Sequence, residues 1–228
     1  MRILKYLLSL YRSALVKKAI MAVTGLVLFG FVLTHMAGNL KVFQGPEKIN
    51  DYAHFLREFG QPVLPYGGLI WIFRVGLLVA VALHVLAATE LTLMNRRARP
   101  VGYKGRKSVQ MDYASRTMRY SGYLIFGYIV YHLLHLTVGS VHENFIPHDV
   151  YHNLVVGFSN PLIAVGYIVI NVLLGFHLYH GLWSLFQTLG LSHPRWDAAR
   201  RGFAVAFALV VTLGFVSVPL AVLTGVVS

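Results

Sequence analysis

The sequence predicts an all-α integral membrane protein, a bundle of five transmembrane helices. Of its 228 residues, 57% are hydrophobic and only 12% are charged, and the mean hydropathy is +0.63. Five apolar runs are each long enough to cross a hydrocarbon core, which needs about 20 helical residues. No internal repeat, low-complexity tract or linker is evident, so residues 1–228 are predicted to form one domain.

The N-terminal segment is predicted to be a short amphipathic helix on the membrane surface. Lys5 and Arg12 interrupt its apolar stretch, and no small-residue cleavage site follows, so a signal peptide is not indicated. Its apolar residues recur at the spacing of one helical face: Leu4, Leu7, Leu8, Tyr11 and Leu15.

The five predicted spans are residues 19–43, 67–95, 119–141, 159–189 and 202–227. The second span carries Arg74 and Glu90 near its two ends. The fourth begins at Ser159-Asn160-Pro161, a cap followed by proline at the first helical position. The segments between the spans are predicted to be loops.

Basic residues predict the orientation. Sixteen of the twenty Lys and Arg residues lie in the N-terminal segment, the 96–119 loop and the 195–201 segment, which fall on one side of a five-span bundle. The positive-inside rule therefore places the N-terminus in the cytoplasm and the C-terminus outside. The net charge of +12 thus reflects cytoplasmic loops and not a nucleic-acid partner.

Histidines within the spans are the main functional signal. Ionisable residues at membrane depth are costly and are functional by default. The chain has no cysteine, which excludes disulfides, cysteine-ligated iron–sulfur clusters and covalently attached c-type haem on this chain. The histidines within spans are His35, His84, His132, His135, His177 and His180.

Depth divides these histidines into two levels. With a rise of about 1.5 Å per residue, His35 and His132 both lie roughly 22 Å from the cytoplasmic ends of their spans. His84 and His177 lie at roughly 16 to 18 Å. Two histidines that face each other at one depth are what bis-imidazole haem ligation requires. Depth alone leaves His135 and His180 open as alternatives, because helix tilt introduces errors of one turn.

Two other uses of these histidines are disfavoured. Zinc prefers three or four ligands in one coordination sphere, and two histidines per level do not supply them. A proton relay would normally recruit carboxylates, and the spans contain only Glu90, near an end. Simple hydrogen bonds between helices remain the alternative for any single histidine.

Three segments carry a family resemblance: "KKAIMAVTGLVLFGFVLTHMAGNLKVFQGPEKINDYAHFLRE", "YSGYLIFGYIVYHLLHLTVG" and "LLGFHLYHGLWSLFQTLG". They resemble the five-helix, dihaem cytochrome b subunits that anchor succinate:quinone oxidoreductases and quinol:fumarate reductases. In that family's pattern the haem ligands fall on His35, His84, His132 and His177, which favours His132 over His135 and His177 over His180. The implied pairs are His35 with His132 and His84 with His177.

The resemblance implies a function in electron transfer. The chain would hold two b haems and pass electrons between an iron–sulfur subunit and membrane quinone, implied to be menaquinone. FAD and iron–sulfur clusters would lie on partner subunits docked at the cytoplasmic side, and this chain would have no catalytic residue for dicarboxylates. The implied location is a bacterial-type cytoplasmic membrane.

Two positions are compared with relatives of this family individually. Glu58 resembles a carboxylate near the quinol site, where it could exchange protons with quinone, although solvation beside Arg57 is the alternative. Gly175 stands where some fumarate reductases carry a glutamate of a proton path, so such a path is not expected here.

Two other functions are kept as alternatives: a haem-free structural anchor and a histidine-lined proton or ion transporter.

Overall fold

The computed structural model describes residues 13–98 and 113–228. Within those ranges the chain forms seven α-helices in this order: α1 Ala14–Asn39, α2 Pro46–Glu58, α3 Gly68–Ala98, α4 Tyr113–Leu133, α5 Val150–Ser159, α6 Pro161–Thr188 and α7 Asp197–Leu223. A 3-10 turn follows α1 at Leu40–Gln44, a π turn extends α4 over Leu134–Val138, and a 3-10 turn over Pro194–Trp196 precedes α7.

Five of these helices are long and apolar enough to cross a membrane. The candidate spans are Ala14–Gln44, Gly68–Ala98, Met118–Val138, Pro161–Thr188 and Pro194–Leu223. No β-strand occurs in the two described ranges. The predicted class, an all-α multi-pass membrane protein, is confirmed.

The span boundaries differ from the predicted ones by several residues. α1 begins at Ala14 because the Ser13 side chain caps it by accepting a hydrogen bond from the Val16 N–H. The third span ends at Val138, where Gly139 adopts a left-handed conformation with φ 81°. α6 begins as predicted, with Asn160 capping Leu162 and Pro161 at the first position.

The predicted N-terminal amphipathic helix lies mostly outside the described residues. Leu4, Leu7, Leu8 and Tyr11 belong to that part of the chain. Leu15 belongs to α1, where its side chain is 78% exposed.

The prediction that residues 41–66 and 141–158 are loops was wrong, because each segment contains a helix. α2 starts with Pro46 after Gly45, whose φ of 96° favours glycine. α5 is capped by the Asp149 side chain, which accepts from the His152 N–H. Asn50 joins the two helices: it donates to Asp149 and accepts from the Val150 and Tyr151 N–H groups.

These two helices close one end of the bundle, called here the capped end. Val42 and Ile49 pack there against Leu154, Phe158 and Val218 in one buried cluster. At the opposite end, Lys17 near the start of α1 pairs with Glu90 near the end of α3, so the two helices run antiparallel.

The spanning helices surround a central site. α1 packs mainly against α3, α4 against α6, and α6 against α7. The four helices α1, α3, α4 and α6 each contribute one of the four histidines predicted as ligands. α7 packs outside them, against α6 and α1.

Candidate functional site

The structure brings His35 of α1 and His132 of α4 together. Their ring centres are 5.8 Å apart and the rings are inclined by 82°. His84 of α3 and His177 of α6 form a second pair, with ring centres 6.5 Å apart and an angle of 60°. These are the pairs predicted from depth, although their role as haem ligands stays a prediction. The pair His35/His132, nearer the capped end, is called the upper pair, and His84/His177 the lower pair.

The spacing of both pairs suits one metal ion between two imidazoles. Imidazole nitrogens bind metal ions at about 2 Å, so two rings on opposite sides of one ion have centres roughly 6 Å apart. No group of three or more His, Cys, Asp or Glu side chains that could hold a metal occurs in residues 13–98 and 113–228. The donor set is therefore two imidazoles per level, which is unlike a zinc site.

Aromatic side chains surround the upper pair. Phe31 stacks on His35 at 5.2 Å, and Phe215 of α7 lies 5.8 Å from the same ring. Tyr128 and Tyr167 lie 5.7 and 6.0 Å from the His132 ring. The Nδ1 atom of His132 is buried, and within the described residues it has no hydrogen-bond partner.

Hydroxyl groups lie beside the lower pair. Nδ1 of His84 is 3.0 Å from the Thr24 hydroxyl oxygen on α1, and Nδ1 of His177 is 3.4 Å from the Ser121 hydroxyl oxygen on α4. These contacts place a hydroxyl at Nδ1 of each ring, so the ring nitrogen that would bind a metal is Nε2. Sequence reasoning did not single out either hydroxyl.

A glycine follows each hydroxyl residue. A Cβ atom added at Gly25 would lie 3.5 Å from Cε1 of His84, and one added at Gly122 would lie 3.5 Å from Cε1 of His177. Each glycine thus lies directly beside a ring of the lower pair, at a distance where a Cβ atom would make ordinary van der Waals contact.

One spacing recurs on α1 and α4 and links the two levels. Residues 24–35 and 121–132 both follow the pattern (Thr/Ser)-Gly-x4-Gly-x4-His, from the hydroxyl at the lower pair to the histidine of the upper pair. The eleven-residue interval sets the levels about 16 Å apart along these helices. This is more than the difference of roughly 4 to 6 Å expected from the predicted spans, because the spanning helices extend beyond those spans: α1 begins at Ala14 and α3 ends at Ala98. This spacing is the signal that would have identified Thr24 and Ser121.

His135 lies in a different environment from His132, three residues earlier. Its side chain is only 1% exposed, and its Nδ1 is 3.0 Å from the Tyr167 hydroxyl. Its ring stacks on His142 at 4.9 Å. A Cβ at Gly157 would come within 2.8 Å of the His135 ring, so the glycine makes room for it. Among the α4 histidines, His132 is the one whose ring lies against His35, and in α6 His177 lies against His84.

Glu58 lies at the capped end, as the last residue of α2. Its carboxylate is 3.4 Å from His54 and is 53% exposed. Arg57 donates to the Ala53 carbonyl at 2.6 Å, and the basic side chain in contact with the Glu58 carboxylate is that of His54. A cleft beside this helix is lined by Asn50, Asp51, His54, Arg57, Tyr66 and His148, and Glu58 stands outside that lining.

Gly175 lies where α6 packs against Thr212 of α7. It is buried, and a Cβ atom there would overlap the Thr212 hydroxyl of α7. A side chain at this position would require the Thr212 hydroxyl to move.

Comparison with known proteins gives one match. Residues 92–216, more than half of the chain, match the family described as "Succinate dehydrogenase/Fumarate reductase transmembrane subunit". The matched range includes His132 and His177. No curated protein and no solved structure matches the chain significantly.

Proposed function

Because this chain belongs to the succinate dehydrogenase/fumarate reductase transmembrane subunit family, we propose that it is a dihaem membrane anchor that passes electrons between an iron–sulfur subunit and membrane quinone. One observation carries the proposal: two histidine pairs, each from two different helices, face each other at two levels of the bundle.

The residues at both levels fit a b-type haem. Each pair offers one imidazole from each side at a separation that suits a single iron. The lower pair has a hydroxyl beside each Nδ1 atom, and a glycine lies next to each of its rings. His84 and His177 would hold the lower haem, and His35 and His132 the upper one.

The four histidines would bind the two haems, and the side chains around them would orient the histidine rings. When bound, the two haems supply one-electron transfer between the two ends of the bundle. Phe31, Phe215 and Tyr167 exclude water from the upper pair by packing against its rings. Burial and hydrogen bonds to the ligands are the means by which the chain sets the two haem potentials.

The charge distribution supports an assignment of sides. Most basic residues lie, in sequence, near the start of α1, between α3 and α4, and near the start of α7, which assigns those ends of the spans to the cytoplasmic face by the positive-inside rule. The iron–sulfur and flavoprotein subunits, with their clusters and FAD, would dock there, as in a bacterial cytoplasmic membrane. The capped end would then face outward.

Quinone, proposed to be menaquinone, would react near the capped end and the upper pair. Glu58 is a candidate to exchange protons with it, since a carboxylate beside a quinone can act as acid or base. The Glu58 carboxylate is accessible at that surface because it is 53% exposed, and it lies 3.4 Å from His54.

The test is electron flow through the intact complex. The chain would be tagged and purified with its partner subunits, and succinate would be added without oxygen while haem absorbance and quinone reduction are recorded. We expect succinate to reduce haem, and quinone reduction to fall at least tenfold in His35→Ala and His84→Ala. His152→Ala, which removes an imidazole bonded to the Asn144 carbonyl in the outer loop, is the control. Assembled complexes that reduce quinone at the wild-type rate without haem would overturn the proposal.

A further inference from the structure

We propose that Thr24 and Ser121 are positioning residues for the lower histidine pair: each hydroxyl accepts a hydrogen bond from Nδ1–H of its histidine and directs Nε2 toward the iron. This inference rests on the proposed function, because it assigns these residues a role toward the lower haem.

The direction of both hydrogen bonds follows from the hydroxyl protons. The Thr24 hydroxyl lies 2.7 Å from the Ile20 carbonyl, and the Ser121 hydroxyl lies 3.1 Å from the Met118 carbonyl. A carbonyl can only accept, and a hydroxyl has a single proton, so a hydroxyl that donates within its own helix offers its oxygen as an acceptor to the imidazole beside it. In the proposed arrangement both hydroxyls do so, and His84 and His177 carry the imidazole proton on Nδ1.

The assigned tautomer is the one that metal binding needs. A neutral imidazole with its proton on Nδ1 carries its lone pair on Nε2. Metal-bound histidines almost always donate their other ring N–H to an acceptor, which fixes the ring orientation and makes the ligand more basic. Thr24 and Ser121 supply that acceptor from the helix adjacent to each ligand.

The arrangement occurs twice on separate helices. Thr24 on α1 serves His84 on α3, and Ser121 on α4 serves His177 on α6. In both cases a glycine follows the hydroxyl residue, and a histidine of the upper pair follows eleven residues after it. Two matching contacts with matching spacing argue for a function of the hydroxyls and against incidental packing.

The upper pair differs in this respect. The buried Nδ1 of His132 has no hydrogen-bond partner in the described part of the chain. Both histidines of the lower pair have a hydroxyl at Nδ1 and His132 has none, so loss of a hydroxyl should change the reduction potential of the lower haem alone. A more basic imidazole stabilises oxidised iron, so removal of either hydroxyl should raise the reduction potential of that haem.

The experiment compares two substitutions at one position. Thr24→Val keeps the branched shape and removes the hydroxyl, while Thr24→Ser keeps the hydroxyl and removes the methyl group. Redox titration of the purified complex, followed by haem absorbance, gives the potential of each haem, and His84→Ala identifies the lower component by its absence. We expect Thr24→Val and Ser121→Ala to raise the lower potential and to weaken haem retention by about 10- to 100-fold, with the upper potential unchanged and Thr24→Ser like wild type.

Thr34→Val is the matched control on the same helix. The Thr34 hydroxyl is exposed and bonds the Gly30 and Phe31 carbonyls of α1, so its removal should change neither potential. If the lower reduction potential shifted in Thr24→Ser but not in Thr24→Val, the contact would be one of packing and the inference would be overturned. An unchanged lower potential in Thr24→Val with both haems bound would also overturn it, while the proposed function would stand. A wild-type complex without haem would instead overturn the proposed function itself.

Discussion

At the scale of the residue, the environment of a histidine decides what it can do. His132 and His135 are three residues apart on one helix, yet His132 faces His35 across the bundle whereas His135 is enclosed by Tyr167, His142 and Gly157. Sequence could supply the histidines and their depths, because helical rise is constant. It could not supply their hydrogen-bond partners, because these depend on which faces of two helices meet.

His135→Phe tests whether His135 and His132 have different roles. The substitution keeps a ring of similar size but leaves the buried Tyr167 hydroxyl without its partner at Nδ1, so we expect a loss of about 1–3 kcal/mol in the free energy of unfolding. Haem content should stay at the wild-type value. His132→Phe should instead lose one haem per chain, as measured by absorbance of the purified protein. If His135→Phe lost a haem and His132→Phe kept both, the ligand assignment on α4 would be wrong.

At the scale of the element, the hydrophobic pattern predicts the five spans but not the two short helices α2 and α5. The five spans were predictable, because only helices long enough to cross the bilayer satisfy their backbone in lipid. α2 and α5 were not, because both are short and Asn50 and Asp149, which join them, are 99 residues apart in sequence. The local sequence pattern of neither segment predicts the hydrogen bond between Asn50 and Asp149.

Gly175→Ala tests the contact between α6 and α7. The added methyl group would overlap the Thr212 hydroxyl, and overpacking of this kind costs about 1–3 kcal/mol. Gly166→Ala is the control on the same helix, because a Cβ there meets no atom within 4 Å. We expect a lower unfolding temperature in detergent for Gly175→Ala and no decrease for Gly166→Ala. Equal behaviour of the two variants would contradict the close packing of α6 and α7 at Gly175.

Asp149 gives the capped end a dependence on pH. The backbone hydrogen bond from His152, followed by the hydrogen bond from Asn50, holds the pKa of the Asp149 carboxyl below its ordinary value. A lowered folded-state pKa means that the carboxylate stabilises the fold above the unfolded-state pKa of about 4, and that this stability is lost as the pH falls through the folded-state value.

Asp149→Ala should therefore be less stable than wild type near neutral pH, by about 1 kcal/mol for a lost helix cap. Unfolding temperatures of both proteins, measured from about pH 7 down to about pH 3, should converge below about pH 4. A difference that persisted unchanged at the acidic end would show that the carboxylate charge does not stabilise the cap.

At the scale of the whole molecule, four helices surround the site and a fifth supports it. α1 with α3 and α4 with α6 each contribute one upper and one lower histidine, while α7 packs on α6 and places Phe215 against His35. The number of spans and the two levels were accessible from sequence. The position of α7 and the contacts of Thr24 and Ser121 with the lower histidines were not, because they depend on which faces of two helices meet.

The central claim is that two haems are held by these two cross-helix pairs. The most direct measurement is haem per polypeptide on the purified full-length chain, by the pyridine haemochromogen assay, for wild type and for single and double His→Ala variants. We predict two b haems in wild type and one in each of His35→Ala, His84→Ala, His132→Ala and His177→Ala. His35→Ala with His132→Ala should still retain one haem, because both residues hold the same group, whereas His35→Ala with His84→Ala should retain none. A folded wild-type chain without haem would contradict the account and leave a structural membrane anchor.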